Sequence, residues 1–189
     1  ISDNIIKSTG TGRVEGIRSH YSAYIFNNII YDQKDVGINI SSYKAGTIYA
    51  YNNTVYNSAE GINRGSTDNI LVAKNNVVQN CADGYFGTFD SSSDFNISDV
   101  IGDTTGLSDS YRSGLATEVS FIDEAGDDFH LLATDTLAKD QGTDLSVIFT
   151  DDIDGQGRMG TWDIGADETS NSKKQLRGNI ELRGTVKFR

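Results

Sequence analysis

The sequence predicts an all-β fold, a parallel β-helix (a solenoid), on the strength of one repeated pattern. Between residues 25 and 90, three segments each contain an Asn-Asn pair, a β-branched run and an acidic residue shortly before a Gly. The second Asn of each pair is Asn28, Asn53 or Asn76, with spacings of 25 and 23 residues. The Gly residues, with spacings of 24 and 23, are Gly37, Gly61 and Gly84. A fixed period of this length is typical of solenoid architectures.

Each repeat contains three short runs rich in β-branched and aromatic residues, which supply the strands. In the middle repeat they are Thr47–Tyr51, Thr54–Tyr56 and Gly61–Arg64. These runs are too short for helices and are typical of strands. We therefore predict three strands per turn, each paired in parallel with its equivalent one turn later, about 4.8 Å away.

The Asn pairs fit the bends between strands. Asn tolerates the left-handed backbone conformation, and its side chain bonds nearby backbone groups. Asn side chains at equivalent positions of successive turns also bond one another along the stack. We predict that Asn28, Asn53 and Asn76 form one column.

Composition divides the chain into three regions. Residues 1–100 carry the repeats, residues 101–168 form the final turns and a loop-rich C-terminal closure, and residues 169–189 form a basic β-strand tail. Within the closure, Val119–Ile122 and Asp128–Leu132 have the composition of strands. Since the first residues already match the Asn-anchored run, we expect further turns upstream.

The closure carries an ordered set of motifs: Phe121-Ile122-Asp123, Asp128-Phe129-His130-Leu131, Lys139-Asp140-Gln141-Gly142, Asp152-Ile153-Asp154-Gly155-Gln156-Gly157-Arg158 and Asp163-Ile164-Gly165-Ala166-Asp167-Glu168. In this order they resemble the C-terminal end of secreted bacterial right-handed parallel β-helix repeat proteins with a choice-of-anchor type region. The resemblance implies a right-handed coil, bacterial origin, and a secreted or cell-surface location. It implies no single activity, because that family includes polysaccharide lyases, epimerases and adhesins.

Charge and composition exclude several classes of partner. A net charge of −11 and a pI near 4.5 argue against nucleic acid, whose phosphates would be repelled. No apolar run approaches the roughly 18 residues of a membrane span. The single Cys81 excludes an intrachain disulfide framework and is predicted to be a small buried hydrophobe.

The basic tail predicts an assembly contact. It alternates apolar and polar residues in the manner of a strand, and the residues assigned to assembly are Ile180, Leu182, Arg183, Val186, Lys187 and Phe188. One interpretation is that the tail folds back onto its own acidic solenoid. The other is that it adds to an exposed sheet edge of a second copy, which would give head-to-tail filaments.

A candidate carbohydrate site consists of Tyr31, Tyr56, Asn39 and Asn63. The two tyrosines occupy equivalent positions of successive repeats, as do the two asparagines. Aromatic faces bind sugar rings by apolar contact, and neighbouring amides pair with hydroxyls. The alternative is that the tyrosines fill the core or form an ordinary aromatic ladder.

No catalytic residues are assigned. A lyase on this fold needs stacked acids beside a Lys or Arg that accepts a proton. Two rows of equivalent positions show no such arrangement: Lys7, Tyr31, Tyr56 and Gln79, and Arg18, Asn39, Asn63 and Phe86. Catalysis is therefore not favoured, although upstream turns would be able to supply partners.

One loop has the oxygen-rich spacing of half a calcium site. Asp151, Asp152 and Asp154 are its candidate ligands, but the later acid that completes an EF-hand loop is missing. A turn held by Asx bonding is the alternative, so calcium stays open and no other cofactor is predicted. We expect His130 to be structural.

The sequence favours an extracellular or cell-surface structural or adhesive module that self-assembles through its tail and contacts polysaccharide. The alternative is a polysaccharide lyase or hydrolase whose site lies partly in upstream turns.

Overall fold

The computed structural model describes residues 1–10, 12, 14–41, 45–65, 68–100, 103 and 118–169. Within these residues the chain forms strands and one short 3-10 helix, Glu124–Gly126. In chain order the strands are β1 Ile5–Lys7, β2 Glu15–Ser19, β3 Ala23–Phe26, β4 Ile29–Tyr31, β5 Val36–Ile40, β6 Thr47–Tyr51, β7 Thr54–Tyr56, β8 Glu60–Arg64, β9 Ile70–Lys74, β10 Val77–Gln79, β11 Asp83–Phe86, β12 Ile97–Ser98, β13 Phe121–Asp123 and β14 Asp128–Leu131.

The first twelve strands form three parallel sheets that share one axis. Their orders are β1-β4-β7-β10-β12, β2-β5-β8-β11 and β3-β6-β9. Every third strand therefore pairs with its equivalent one turn later, and the result is a parallel β-solenoid of about 4 turns. The predicted fold class, with three strands per turn, is confirmed.

The register between turns follows the repeat period. Tyr31 lies opposite Tyr56, and Asn39 lies opposite Asn63. Since side chains alternate between the two faces of a strand, this register places equivalent positions of successive turns on the same face. The interior is filled by side chains with no exposed surface: Ile25, Ile30, Ile38, Ile40, Ile48, Val55, Ile62, Leu71 and Val78.

The second Asn of each pair forms the predicted column inside the coil. Asn28, Asn53, Asn76 and Asn96 have no exposed surface. The Nδ2 of each donates to the Oδ1 of the next, at 2.9, 3.0 and 2.9 Å. Asn4 extends the column by donating to Asn28 at 3.0 Å. We call these five residues the inner asparagines.

The repeated Gly forms a second column, where two turns approach too closely for a side chain. A Cβ added at Gly37 would lie 2.8 Å from the carbonyl oxygen of Gly61. One added at Gly61 would lie 2.5 Å from the carbonyl oxygen of Gly84 and would also meet the side chain of Val78. Close packing between turns therefore explains the Gly period.

The closure packs against the side of the solenoid. Its two predicted strands are present as β13 and β14, but they pair antiparallel with each other and do not extend the parallel sheets. Phe121, Phe129 and Leu131 of this hairpin belong to an apolar cluster with Ile29 and Tyr31 of the solenoid. The tail residues Ile180, Leu182, Arg183, Val186, Lys187 and Phe188 lie outside the described residues. The division at residues 100 and 168 stays a prediction.

The inner asparagines predict a large difference between two Asn-to-Asp substitutions. Asn53→Asp replaces a buried NH2 group, which donates to Asn76, Ile25 and Tyr51, with a carboxylate oxygen. An uncompensated buried charge costs about 3–5 kcal/mol of unfolding free energy. The control Asn57→Asp lies at an exposed bend, where loss of the hydrogen bond to Asp32 and repulsion between the two carboxylates in water should together cost no more than about 1–2 kcal/mol. Urea unfolding followed by circular dichroism measures both, and similar losses would contradict the role of the column.

The Gly column predicts that Gly61→Ala lowers the unfolding free energy by about 1–3 kcal/mol, because the added methyl group overpacks the interface between turns. Gly157→Ala is the matched control, since no atom lies within 4 Å of the place its added methyl group would occupy. The same urea titration compares the two variants. A Gly61→Ala protein as stable as the control would remove the explanation by close approach.

Candidate functional site

The first Asn of each pair holds the closure to the solenoid. Asn27, Asn52 and Asn75, which we call the outer asparagines, have left-handed backbones with φ of 51°, 48° and 55°. This conformation turns each side chain out of the coil. Their amide groups donate to carbonyl oxygens of the closure, at Asp151 for Asn27 (2.7 Å), Asp163 for Asn52 (3.0 Å) and Thr143 for Asn75 (2.8 Å).

A buried arginine completes this attachment. The Arg158 side chain has no exposed surface and donates to Glu168 Oε2 and to Asn27 Oδ1, both at 3.1 Å. Its guanidinium lies 5.2 Å from the centre of the Trp162 ring. Burial lowers the pKa of Arg158 and raises the pKa of Glu168 to about 7, because desolvation outweighs the attraction of the pair. Taking both charged groups out of water offsets much of the energy that their attraction contributes.

The closure covers the tyrosines that the sequence assigns to carbohydrate. Tyr31 is 7% exposed, and its ring centre lies 4.8 Å from that of Phe129. Tyr56 lies 4.6 Å from the same ring, and its hydroxyl donates to Glu124 at 2.8 Å. Burial is the main reason that the pKa of Tyr56 rises to about 12. Both rings thus have a packing role, and Tyr56 alone also reaches a surface recess.

The two candidate asparagines lie on a different sheet from the tyrosines. Asn39 is buried on β5, and Asn63 is half-buried on β8, where its amide donates to Glu60. The structure therefore brings Tyr31 to Tyr56 and Asn39 to Asn63, but it does not bring the four residues together. Carbohydrate binding by this set stays a prediction.

A polar groove of about 750 Å³ runs along the bends that follow β4, β7 and β10. A second recess of about 410 Å³ continues it toward the hairpin and shares two lining residues, Asn80 and Asp99. The groove is lined by Asp32, Gln33, Lys34, Asn57, Ser58, Ala59, Asn80, Cys81, Ala82, Asp99 and Val100. Tyr56, Glu118 and Glu124 stand in the second recess.

Equivalent bend residues form a hydrogen-bonded row on the groove surface. Asp32, Asn57 and Asn80 all have left-handed backbones, with φ of 57°, 50° and 56°. Asn57 Nδ2 donates to Asp32 Oδ1 at 2.7 Å, and Asn80 Nδ2 donates to Asn57 Oδ1 at 3.5 Å. The solenoid therefore presents similar polar groups once per turn along this surface.

The row ends at the carboxylate of Asp99, where one oxygen accepts a hydrogen bond and the other does not. Asp99 Oδ2 accepts the backbone N–H of Asn80 at 2.8 Å. Asp99 Oδ1 is buried and has no hydrogen-bond partner in the part of the chain that the structure describes. Cys81 also lines the groove, but burial raises the pKa of its thiol to about 12, which excludes an activated nucleophile. Its prediction as a buried hydrophobe agrees with its 7% exposure.

A second aromatic pair was missed in the sequence. Tyr24 and Tyr49 lie opposite each other on β3 and β6, with ring centres 4.6 Å apart and planes at 13°. Tyr24 is 41% exposed. The signal was present, since these tyrosines are 25 residues apart, which is the repeat length.

The three candidate calcium ligands do not share one role. Asp152 is buried, and its Oδ1 accepts the N–H groups of Asp154 and Gln156 while its Oδ2 accepts that of Glu168. This is the Asx-bonded turn that the sequence left open. Asp151 is exposed, and calcium binding by this loop stays a prediction.

Asp154 instead lies beside two residues from other segments. His130 and Asp167 approach it so that one ligand atom from each lies within 4.8 Å of the others. His130 was expected to be structural, and Asp167 was given no role. Their sequence separation left no spacing motif to find.

Compared with known proteins, the chain matches no family model, and neither a curated protein nor a solved structure shows significant similarity to it. The choice-of-anchor resemblance therefore stays a prediction. Among the described residues, no helix has the length and apolar character needed to cross a membrane.

Proposed function

We propose that this chain is a structural or adhesive β-solenoid module of the cell surface or extracellular medium that binds polysaccharide along its polar groove without chemical conversion. The main support is the row of Asp32, Asn57 and Asn80, in which each turn of the solenoid places one polar side chain beside an open groove. A polysaccharide also repeats its hydroxyl groups along one direction. Periodic donors and acceptors on the protein suit such a ligand.

The groove chemistry favours a neutral glycan over an acidic one. Carboxylates at Asp32, Asp99, Glu118 and Glu124 line the two recesses, and Lys34 is the one cation among the described lining residues. Carboxylates and amides pair well with hydroxyls, whereas the carboxylates of the groove repel those of an acidic polysaccharide. Asp99 lines both recesses and adds a carboxylate to the acceptors along the groove.

The groove predicts binding that depends on the bend side chains. Asn57→Gly removes one amide from the row while keeping a residue that suits a φ of 50°. We expect affinity for a soluble neutral glucan or mannan to fall about tenfold, because one or two hydrogen bonds to the ligand are lost. Affinity electrophoresis and titration calorimetry measure the change.

The matched control is Asp140→Gly, which alters an exposed left-handed residue (φ 54°) outside the groove lining. It should bind as the unmodified chain does. Failure of the unmodified chain to bind any of these glycans, or equal binding by Asn57→Gly, would contradict the proposal. Reducing ends or unsaturated product appearing in the same mixtures would instead favour the lyase or hydrolase alternative.

We also propose that copies assemble through the basic tail. The strands β1, β2 and β3 lie at the edges of their sheets among the described residues, and Ile1 and Ile5 beside that edge are 55% and 59% exposed. Edge strands offer unpaired backbone groups to an added strand. The acidic body complements the basic tail.

Deletion of residues 173–189 should therefore convert a concentration-dependent assembly into a single low-mass species in multi-angle light scattering. A full-length variant with Val186→Asp and Phe188→Asp should behave like the deletion, because it retains the chain length but loses two apolar residues of the strand that the sequence predicts. Unchanged mass in both variants would remove the assembly proposal and leave the groove proposal untouched.

A further inference from the structure

The cluster at His130 lies where three separate segments of the closure meet. His130 stands on β14, Asp154 follows in the loop after Asp152, and Asp167 precedes the buried Glu168. The cluster contains no residue of the polar groove. A ligand held there would join the hairpin, the loop and the last described segment.

A fourth residue orients the imidazole. His130 Nδ1 lies 2.5 Å from Asp128 Oδ1. This contact places the proton on Nδ1 of the neutral ring and directs the lone pair of Nε2 away from Asp128. Carboxylates hold metal-binding histidines in this way, because the hydrogen bond fixes the tautomer and raises the basicity of the ligating nitrogen.

The other ring nitrogen is buried without a hydrogen bond. His130 Nε2 has no hydrogen-bond partner in the described part of the chain, and it lies 3.3 Å from Asp154 Oδ2. An imidazole lone pair and two carboxylates that converge on one point repel each other. A proton on Nε2 removes that repulsion, since the neighbouring carboxylates raise the pKa of His130 against the effect of burial, and a metal ion bound between the three groups removes it as well.

We propose that His130, Asp154 and Asp167 bind one divalent transition-metal ion, with Zn²⁺ as the test ion. Zn²⁺ accepts imidazole nitrogen together with carboxylate oxygen, and three protein ligands leave a position for water. Ca²⁺ prefers six to eight oxygen ligands, so the imidazole disfavours it. The bound ion ties three segments of the closure together and stabilises the folded state.

Calorimetric titration of the full chain with Zn²⁺, after treatment with a chelator, tests the site. We expect one ion per chain, and a melting temperature raised by about 5–10 °C when free Zn²⁺ reaches about 100 times its dissociation constant. Asp154→Asn should weaken binding at least about tenfold and abolish most of that shift. The side chain of Asp154 is 49% exposed, so this variant is expected to fold.

The matched control is Asp151→Asn, which changes an exposed acid of the same loop outside the cluster and should bind Zn²⁺ normally. Asp128→Ala should weaken binding about 10–100-fold while the circular dichroism spectrum stays unchanged, because it removes the acceptor that orients the ring from a side chain that is 41% exposed. Co²⁺ in place of Zn²⁺ should give visible absorption bands that Asp154→Asn loses.

Any one of four results would overturn the proposal. One is the absence of both binding heat and a shift in melting temperature. Another is an equal loss of affinity in Asp151→Asn and Asp154→Asn, or tighter binding of Ca²⁺ than of Zn²⁺, either of which would support the loop of three acids instead. The last is binding that survives Asp154→Asn but disappears with His20→Gln, which would place the ion elsewhere.

Discussion

The amide-to-amide hydrogen bond between successive turns is the constraint on which the solenoid depends. Each central inner asparagine donates to the next Asn side chain and also to backbone carbonyls, as Asn53 does toward Asn76, Ile25 and Tyr51. An aliphatic interior tolerates small shifts of one turn against another, because apolar contact has little direction. A column of directional bonds does not tolerate such shifts. If one turn moved by one residue, its asparagine would leave the column, and the groups that it bonds would be buried without partners.

Two neighbouring residues of the same type thus carry out different tasks. The inner asparagine bonds along the axis inside the coil, whereas the outer one turns outward and bonds the closure. The left-handed backbone of the outer residue causes the difference, because it bends the chain there and directs the two neighbouring side chains to opposite sides. Arg158 then fixes the closure at one end by reaching Asn27 from a buried ion pair. These contacts lie before β4, β7 and β10, and the groove lies at the other end of the same strands. There a second set of left-handed residues bends the chain again.

The solenoid was predictable because its determinants recur at a fixed spacing. The Asn and Gly columns and the register of Tyr31 with Tyr56 all follow from equivalent positions in successive repeats.

The surroundings of those positions were not predictable, because they depend on the closure. Phe129 covers Tyr31, and the two are almost 100 positions apart with no shared period. The cluster of His130, Asp154 and Asp167 was missed for the same reason, since only the folded closure unites them. The composition of β13 and β14 indicated strands, but a short apolar run carries no information on whether its partner is parallel or antiparallel.

The attachment of the closure to three consecutive outer asparagines restricts how such a protein changes length. Asn27, Asn52 and Asn75 are three attachment points, one per turn, and each donates a hydrogen bond to a different residue of the closure. Duplication or loss of a repeat between Asn27 and Asn75 would move one of these asparagines away from its partner in the closure, so tandem copying inside this span should be disfavoured. Repeats inserted before Asn27 leave all three hydrogen bonds to the closure in place. Growth and shrinkage of the coil over evolutionary time are therefore expected to concentrate on its N-terminal side.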